Sequence, residues 1–395
     1  MRKFIVISAL LIIVAALSGC AQIAMSRAEI DKLFITRIFS VDEAPGGKVK
    51  ITLTTKSLST GGGGQQPVQK GESVVSEGDT IFEAVRNLLV YSDKKPNFGH
   101  TEYILFGEAI ARKGILPYLD FFTRQNDIRN SAKLYIVKGD TADSLVKKTN
   151  ASKMFVGDRI SRIEEDAPLT SFFSTVTLNE ALLILDNKNI ATFIPFIEVT
   201  NTMSSEEKQD KYDVLIRGYA IFRDDKLSYF TPREESRGIN WIMNRIGSGA
   251  ILVKNKSGEE TSLEIISSNV KILPKIEGDE LHCTVDISFT TNIGEVMGNE
   301  SITAIGSIKY LKVQQEKAIK KEVENAVRIA QKDNSDRFGI ITKFTLKYPM
   351  MRDYFKKNWK DLFPDVKFEI KVKSNIKGTY LLNDPVGSSE TNEGE

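Results

Sequence analysis

The sequence predicts an α+β fold of mixed α/β character, arranged as two to three domains, each a mainly antiparallel or mixed sheet with flanking helices. Apolar and polar residues alternate in several short segments, which is typical of half-buried strands. One long segment instead carries apolar residues at helical spacing. Because strand and helix patterns alternate along the chain, we expect helices to cover the sheets.

The N-terminus has the organisation of a lipoprotein signal peptide. Two cations precede an apolar run that is too short to span a bilayer comfortably. This run ends in a lipobox, the cleavage and acylation signal of bacterial lipoproteins, formed by Leu17, Ser18, Gly19 and Cys20. A plain signal peptide with an incidental cysteine is the alternative. We expect 1–19 to be removed and 20–28 to form the lipidated cysteine and its tether. Diacylglycerol and an N-acyl chain on Cys20 are expected, and no cofactor.

Charge and cysteine content bear on the partners that the protein can bind and on the bonds that stabilise it. The chain has 54 basic and 52 acidic residues, and cleavage removes Arg2 and Lys3, so that the charges of the mature chain balance. A nucleic-acid partner is therefore not expected. Beyond Cys20 only Cys283 remains, which excludes an intrachain disulfide once Cys20 is acylated. Cys283 lies on an alternating strand and is predicted to be an inert core thiol.

The N-terminal domain, residues 29–201, is predicted from strand and helix signals in turn. Val49 to Thr54 alternate as a strand, and Thr80 with Glu83 forms a capping box that opens a helix. A flexible surface loop is predicted at 61–67, where no phosphate-loop lysine follows the glycines at 61–64. Further elements are expected as a strand at 100–106, a helix at 108–113 ended by Gly114, a helix at 118–122 and a strand at 133–137.

A polar segment at 202–211 predicts the next domain boundary. It separates a middle domain, 202–301, from the N-terminal one, and a C-terminal α/β domain is predicted over 302–383. The clearest helix, 311–332, has an apolar stripe, and Glu316 lies four residues before Lys320. The alternating segment 366–373 predicts an antiparallel or edge strand. Residues 384–395 are expected to be disordered.

Few residues could carry catalytic chemistry. His100 and His282 are the only histidines, so neither a zinc site nor a serine–histidine–acid triad is expected. The acidic pairs at 164–166 and 234–235 are predicted to be solvated charges on surface loops. A hydrolase that uses two distant carboxylates stays open. Trp241 and Trp359 are predicted to be core or interface aromatics.

Two polar groups remain as candidates for recognition. His100 is either a pH-responsive or ligand-contacting group or an imidazole held by hydrogen bonds at the start of a strand. Arg124, Asp127 and Arg129 form either a recognition cluster or an ion-pair network around a turn.

The mature chain resembles the Ger(x)C family, the lipoprotein C subunits of spore-germination nutrient receptors. The resemblance is carried, in the family's order, by the lipobox, 29–33, 76–84, Gly99-His100, 107–114, 124–129, 238–241, 336–339, Tyr348-Pro349, Trp359 and Phe363-Pro364. One departure is the tether: Ala21-Gln22 follows Cys20 where the family commonly has Trp-Asp, and Glu29 comes nine residues after Cys20. The longer tether predicts a body held further from the lipid surface.

The resemblance implies a three-domain α/β protein on the outer face of the inner spore membrane. It also implies a complex with two membrane-embedded subunits that senses nutrients such as amino acids, and no catalytic activity for this subunit. Whether the subunit contacts the nutrient directly stays open. The polar content of 108–114 and 124–129, together with the resemblance, predicts a partner surface that includes Glu108. The main alternative is a free-standing solute-binding lipoprotein of the cell envelope.

Overall fold

The computed structural model describes residues 32–59, 68–202, 211–298 and 306–379, which form fourteen strands and ten α-helices. Up to residue 202 the elements are β1 (Leu33–Ile35), β2 (Ile38–Glu43), β3 (Val49–Ser59), β4 (Val68–Gly78), α1 (Ile81–Leu88), β5 (Lys95–Asn97), β6 (Tyr103–Gly107), α2 (Glu108–Lys113), α3 (Leu116–Arg124), β7 (Lys133–Val137), α4 (Ala142–Ala151), α5 (Val156–Thr170), α6 (Leu178–Asp186) and β8 (Phe193–Asn201). The remaining elements are β9 (Tyr212–Arg223), β10 (Lys226–Phe230), α7 (Arg233–Ile242), β11 (Ala250–Lys254), β12 (Glu260–Glu277), β13 (Glu280–Val296), α8 (Ser307–Lys332), α9 (Ile340–Lys347), α10 (Arg352–Leu362) and β14 (Lys367–Thr379).

The N-terminal half is built on an eight-stranded mixed sheet with the order β10-β9-β8-β7-β6-β2-β3-β4. Its four central strands, β2, β6, β7 and β8, are parallel, and the flanking strands pair antiparallel. Helical crossovers connect β6 to β7 and β7 to β8, because parallel neighbours cannot be joined by a tight turn. The mixed α/β prediction is confirmed for this half.

Local patterns predicted several elements well. Helix α2 and strand β7 have the predicted bounds, and Gly114 ends α2 with a positive φ of 127°. Strand β3 differs, because Thr52 and Thr54 on its polar side are as buried as its apolar residues. Helix α4 covers that side, and Thr52 donates a hydrogen bond of 3.1 Å to Asp143.

Helix caps were only partly predictable. At the start of α1 the Thr80 hydroxyl accepts from the Glu83 amide, but Glu83 accepts from the amide of Asp79 and not from that of Thr80. A reciprocal capping box occurs instead at α6, where Thr177 and Glu180 each accept a hydrogen bond from the other's backbone amide.

The C-terminal half is built on a four-stranded sheet with the order β11-β12-β13-β14. Strand β14 is the predicted edge strand, and it pairs parallel to β13. The apolar stripe of α8 is buried as predicted, at Ile319, Val323, Ala326, Val327 and Ala330. The pair of Glu316 with Lys320 is not formed: Glu316 accepts from the backbone amide of Ser374 on β14, and Lys320 lies 3.7 Å from Glu324.

The two halves share one continuous apolar core, and helix α7 lies between them. On α7, the Trp241 ring lies 5.4 Å from that of Phe289 on β13. Gly238 permits the close approach of α7 to α8, because a Cβ at that position would stand 2.6 Å from the carbonyl oxygen of Glu322 on α8. Trp241 and Trp359 are both buried, as predicted.

The sheets divide the chain differently from the predicted boundaries. The boundary at 201/202 falls in the connection between β8 and β9, which are hydrogen-bonded neighbours in the large sheet. The boundary at 301/302 falls between β13 and α8, which belong to the same C-terminal unit, since β14 follows α8 and pairs with β13. Composition alone therefore does not distinguish a polar connection between two strands of one sheet from a linker between domains.

Candidate functional site

The predicted lipidation site lies outside the described residues. Leu17, Ser18, Gly19 and Cys20 all precede Lys32, where the described part begins. The predicted loop at 61–67 and tail at 384–395 lie outside it as well. Acylation of Cys20 therefore stays a prediction. In the ranges that the structure covers, no helix is long and apolar enough to cross a membrane.

His100 and Arg129 come together at one edge of the large sheet. His100 lies in the turn before β6 and Arg129 in the connection before β7. Since β6 and β7 are parallel, with Tyr103 opposite Lys133, the segments that lead into them meet at the same edge. There they line a depression of about 320 Å³ together with Arg37, Gly99, Thr101, Glu102, Tyr103, Ser131, Ala132, Lys133 and Ser161. Both His100 and Arg129 are exposed.

The depression carries an excess of positive charge. Arg37 and Glu102 neutralise each other across 2.6 Å. Lys133 is bound by Glu164 behind the depression. Among the described residues, Arg129 has no ion pair, so its guanidinium is available to donate hydrogen bonds to a carboxylate of another molecule. The arrangement suits an acidic group on a partner.

Glu164 is a buried structural carboxylate, which corrects the prediction of a solvated loop charge. It lies on α5 with only 7% of its side chain exposed. Besides Lys133 it accepts hydrogen bonds from Tyr135, at 2.6 Å, and Tyr103, at 3.3 Å. Burial and the adjacent Glu164 carboxylate raise the pKa of both tyrosines well above the usual range. Glu164 therefore supports the floor of the depression.

The other predicted contact residues lie elsewhere. Glu108 follows β6, at the opposite end of the strand from His100. Its carboxylate accepts from Arg112, at 2.6 and 2.8 Å, and from the amide of Gly139, at 2.7 Å, so that it ties α2 to the loop after β7. Glu108 is therefore a structural residue in this fold.

Arg124, Asp127 and Arg129 do not form the ion-pair network that was one of the two interpretations. Arg124 pairs with Asp120 on its own helix at 2.7 Å, where both side chains are exposed. Asp127 is exposed in the connection between α3 and β7, and it forms no ion pair within the described part of the chain. Of the predicted set, only His100 and Arg129 share a site.

A buried ion pair joins the two halves of the molecule. Arg337, which follows α8, donates to Glu235 on α7 and to the hydroxyl of Tyr229 on β10, both at 2.6 Å. A second nitrogen of its guanidinium lies 3.1 Å from Asp333. The side chains of Arg337 and Glu235 are 0% and 2% exposed, so the prediction of Glu235 as a solvated charge is wrong. Burial raises the pKa of Glu235, and the hydrogen bond from Tyr229 and the charge of Arg337 oppose that rise.

Asp336 organises the neighbouring helices. Its two carboxylate oxygens accept from the amides of Ile340 and Ile341 at the start of α9 and from the indole of Trp359 on α10, at 2.9–3.0 Å. Burial raises the pKa of Asp336 to about 6 despite these hydrogen bonds. The resemblance marks 336–339 as a family motif but assigns no role to Asp336 or Arg337.

A cavity of about 320 Å³ lies beside this junction. Its walls come from the α6–β8 connection, the β9–β10 turn, the α8–α9 connection and α10. Charged side chains of both signs line the cavity: the acids Asp224 and Asp225 and the cations Lys188, Arg223 and Lys360. Lys360 and Asp224 lie 3.6 Å apart. The volume of the cavity is in the range of small-molecule sites, and its lining offers both cations and carboxylates.

The described residues offer little for catalysis. No group of three or more histidine, cysteine or acidic side chains among them could hold a metal ion. His282 lies on β13, in the other half of the molecule from His100, with Glu280 at 3.3 Å. Cys283 is buried, as its strand alternation predicts, and burial raises the pKa of its thiol to about 12.

The fold and these sites define an α+β protein of two sheet units, joined by a buried ion pair. Residues 26–199 match the family model described as the spore germination protein N-terminal domain, and 217–380 match the spore germination B3/GerAC-like C-terminal model. The chain belongs to this family of spore germination proteins, as the sequence motifs predicted.

Individual relatives cover almost the full chain. Spore germination protein B3 of Bacillus subtilis is 22% identical over 380 residues, which span 93% of this chain and 96% of that protein. Spore germination protein YndF of the same organism is 23% identical over 407 aligned positions, with the same two coverages. The crystal structure of the GerBC protein is similar in fold, with a TM-score of 0.53 and 18% identity over 86% of this chain and 96% of that one.

Proposed function

We propose that this chain is a lipid-anchored, non-enzymatic subunit of a spore-germination nutrient receptor. It assembles with two membrane-embedded subunits on the outer face of the inner spore membrane and helps to trigger germination. The observation that carries this proposal is the match of both family domains, in order, behind a lipobox at 17–20. Such a chain contributes binding surfaces outside the membrane, and its acyl chains hold it there.

The buried carboxylates support a role without turnover. Glu164, Glu235 and Asp336 are the kind of shielded acids that hydrolases use, yet each is held by partners within the fold. Their hydrogen bonds stabilise the floor of the depression, the junction of the halves and the start of α9. In the depression, the exposed His100 and Arg129 remain available to meet another molecule.

Affinity purification of the tagged chain from detergent-solubilised dormant-spore membranes tests the proposal. Mass spectrometry of the eluate is expected to identify two multi-span membrane proteins in constant ratio to the chain. The matched control is the same purification with Cys20→Ala, which should lose the membrane association of the free chain. Recovery of the wild-type chain alone would contradict the receptor assignment.

The junction cavity favours a second candidate, the direct binding of a small zwitterion such as an amino acid. Lys360 and Asp224 would pair with its two charged groups. Saturable heat of binding to the wild-type chain, lost in Lys360→Ala and kept in Lys357→Ala, would support this role. Equal heats for the two variants would contradict it.

A further inference from the structure

Four large apolar side chains are exposed on α1 and in the turns that follow it, one in the first turn of the helix and three directly after its C-terminal end. We call them the apolar tip: Phe82, Leu89, Val90 and Tyr91, with 55%, 40%, 85% and 59% of their surfaces exposed. Scattered single apolar residues are normal on a protein surface, but three consecutive ones at a helix end are not.

The apolar tip is held outward by the fold. The opposite side of α1 is buried through Ile81, Ala84 and Leu88. Backbone hydrogen bonds continue the helix as turns through Ser92, and the Tyr91 hydroxyl donates to the carbonyl of Val75 on β4. The apolar side chains therefore cannot turn inward without breaking this frame.

The apolar tip lies beside the point where the chain comes in from its N-terminal segment. β1 and β5 pair in parallel, with Leu33 opposite Lys95. The residues just before each strand, Lys32 and Lys94, are consequently at the same end of this two-stranded sheet. Cys20 lies twelve residues before Lys32, a distance of roughly 40 Å when fully extended and roughly 20 Å as a flexible coil. A lipid on Cys20 is thus within reach of the apolar tip.

Basic side chains around the apolar tip can meet the phosphate groups of a lipid surface. Arg86, Lys94 and Lys95 are exposed next to it, and two exposed acids, Glu83 and Asp93, lie among them. The Arg86 guanidinium lies over the Phe82 ring at 5.0 Å. Long cationic side chains can reach phosphate groups while neighbouring apolar groups sit at the acyl boundary. Such a mixture of aromatic, aliphatic and basic residues is typical of membrane-interface contacts.

We propose that the apolar tip inserts into the interfacial region of the lipid bilayer, as a second contact besides the acylated Cys20. This inference rests on the proposed acylation of Cys20, which brings the tip to the membrane. It fixes the orientation of the large sheet relative to the bilayer, because α1 is bound to β3 and β4.

Fluorescence of a single label tests the inference in the full acylated chain. Val90→Cys is labelled with an environment-sensitive nitrobenzoxadiazole group, while Cys283 stays unreactive because it is buried and Cys20 is blocked by its lipid. Met350→Cys is the matched control, since Met350 is apolar, 98% exposed and located in the C-terminal unit. Both proteins are reconstituted on phosphatidylcholine–phosphatidylglycerol vesicles that contain nitroxide-labelled lipids.

The label at position 90 is expected to shift to shorter wavelength and to be strongly quenched by the nitroxide lipids, while the label at 350 stays water-like and unquenched. Protein that floats with the vesicles but shows water-like emission at both positions overturns the inference and leaves the lipid anchor intact. It would mean that the long tether holds the body away from the bilayer. Protein that does not float at all overturns both the anchor and the inference. A blue shift at position 90 without quenching by nitroxide lipids also overturns it, because the tip would then be covered by protein.

Discussion

Arg337 and Glu235 lie 102 residues apart in the sequence and meet at 2.6 Å in the interior of the molecule. The Tyr229 hydroxyl accepts a hydrogen bond from Arg337 and donates one to Glu235. Strand β10, helix α7 and the segment after α8 therefore meet at one guanidinium group. The pair therefore fastens the C-terminal unit to the large sheet.

Removing one partner of this pair should destabilise the protein strongly. Arg337→Ala leaves the Glu235 carboxylate buried without its cation, which typically costs about 3–5 kcal/mol in the free energy of unfolding. The double variant Arg337→Met with Glu235→Leu should recover much of that loss, because both charges are gone. Urea unfolding measures both, and Arg124→Ala, which breaks the exposed pair with Asp120, serves as a control that changes stability by less than about 1 kcal/mol.

Asp336 should give the protein a measurable pH dependence. Its pKa is raised from 3.8 to about 6, so the folded chain binds this proton more tightly than the unfolded chain does. The free energy of unfolding therefore falls as the pH rises from about 4 to about 6, by about 3 kcal/mol for this group, and stays level above that range.

The variant Asp336→Asn isolates this effect. The difference in unfolding free energy between the wild type and the variant should change between pH 4 and pH 6 and be constant above pH 7 (about one unit beyond the folded pKa). Asp353→Asn, at an exposed aspartate on α10, is the control. A pH-independent difference for Asp336→Asn would show that the carboxyl keeps its ordinary pKa.

Charge reversal at Arg129 separates a partner contact from a structural role. Arg129 is exposed and makes no ion pair in the described part of the chain, so Arg129→Glu should change the melting temperature little. If an acidic partner group occupies the depression, the variant should recover several-fold less of the membrane subunits in the same purification. Lys343→Glu, at an exposed cation on α9, is the control. Equal recovery of the membrane subunits by the two variants would show that the depression is not part of the partner surface.

Loss of the acylated cysteine should release the protein from membranes. Cys20→Ala abolishes the thioether, and two or three acyl chains supply most of the membrane affinity of such a protein. The variant should move to the soluble fraction with an unchanged circular dichroism spectrum. Its retention on membranes after high-salt washing would indicate that protein partners suffice to hold it.

Patterns of short range were predictable, because they depend on neighbours in the sequence. The alternation of β14 and the buried stripe of α8 follow from their own periods. The capping box at Thr80 was only half correct, since the amide that Glu83 meets depends on the path of the chain before the helix.

Burial of charge was not predictable in this way. Glu164 and Glu235 look like ordinary acidic residues of polar segments, and their burial depends on partners such as Lys133, Tyr135 and Arg337. Each of those partners comes from another element of the fold. The same holds for the depression, because His100 and Arg129 become neighbours only through the parallel pairing of β6 and β7.

The parallel pairing of β14 with β13 has a consequence for how the protein is made. Strand β14 ends at Thr379 and comes from the ribosome after every other element that the structure describes, yet it forms the edge of the C-terminal sheet and packs against α8. Until it has been synthesised, β13 exposes a long unpaired backbone edge, which is prone to aggregation. A premature stop before residue 367 should therefore leave a nascent chain whose N-terminal half can fold while its C-terminal half is a target for chaperones and proteases.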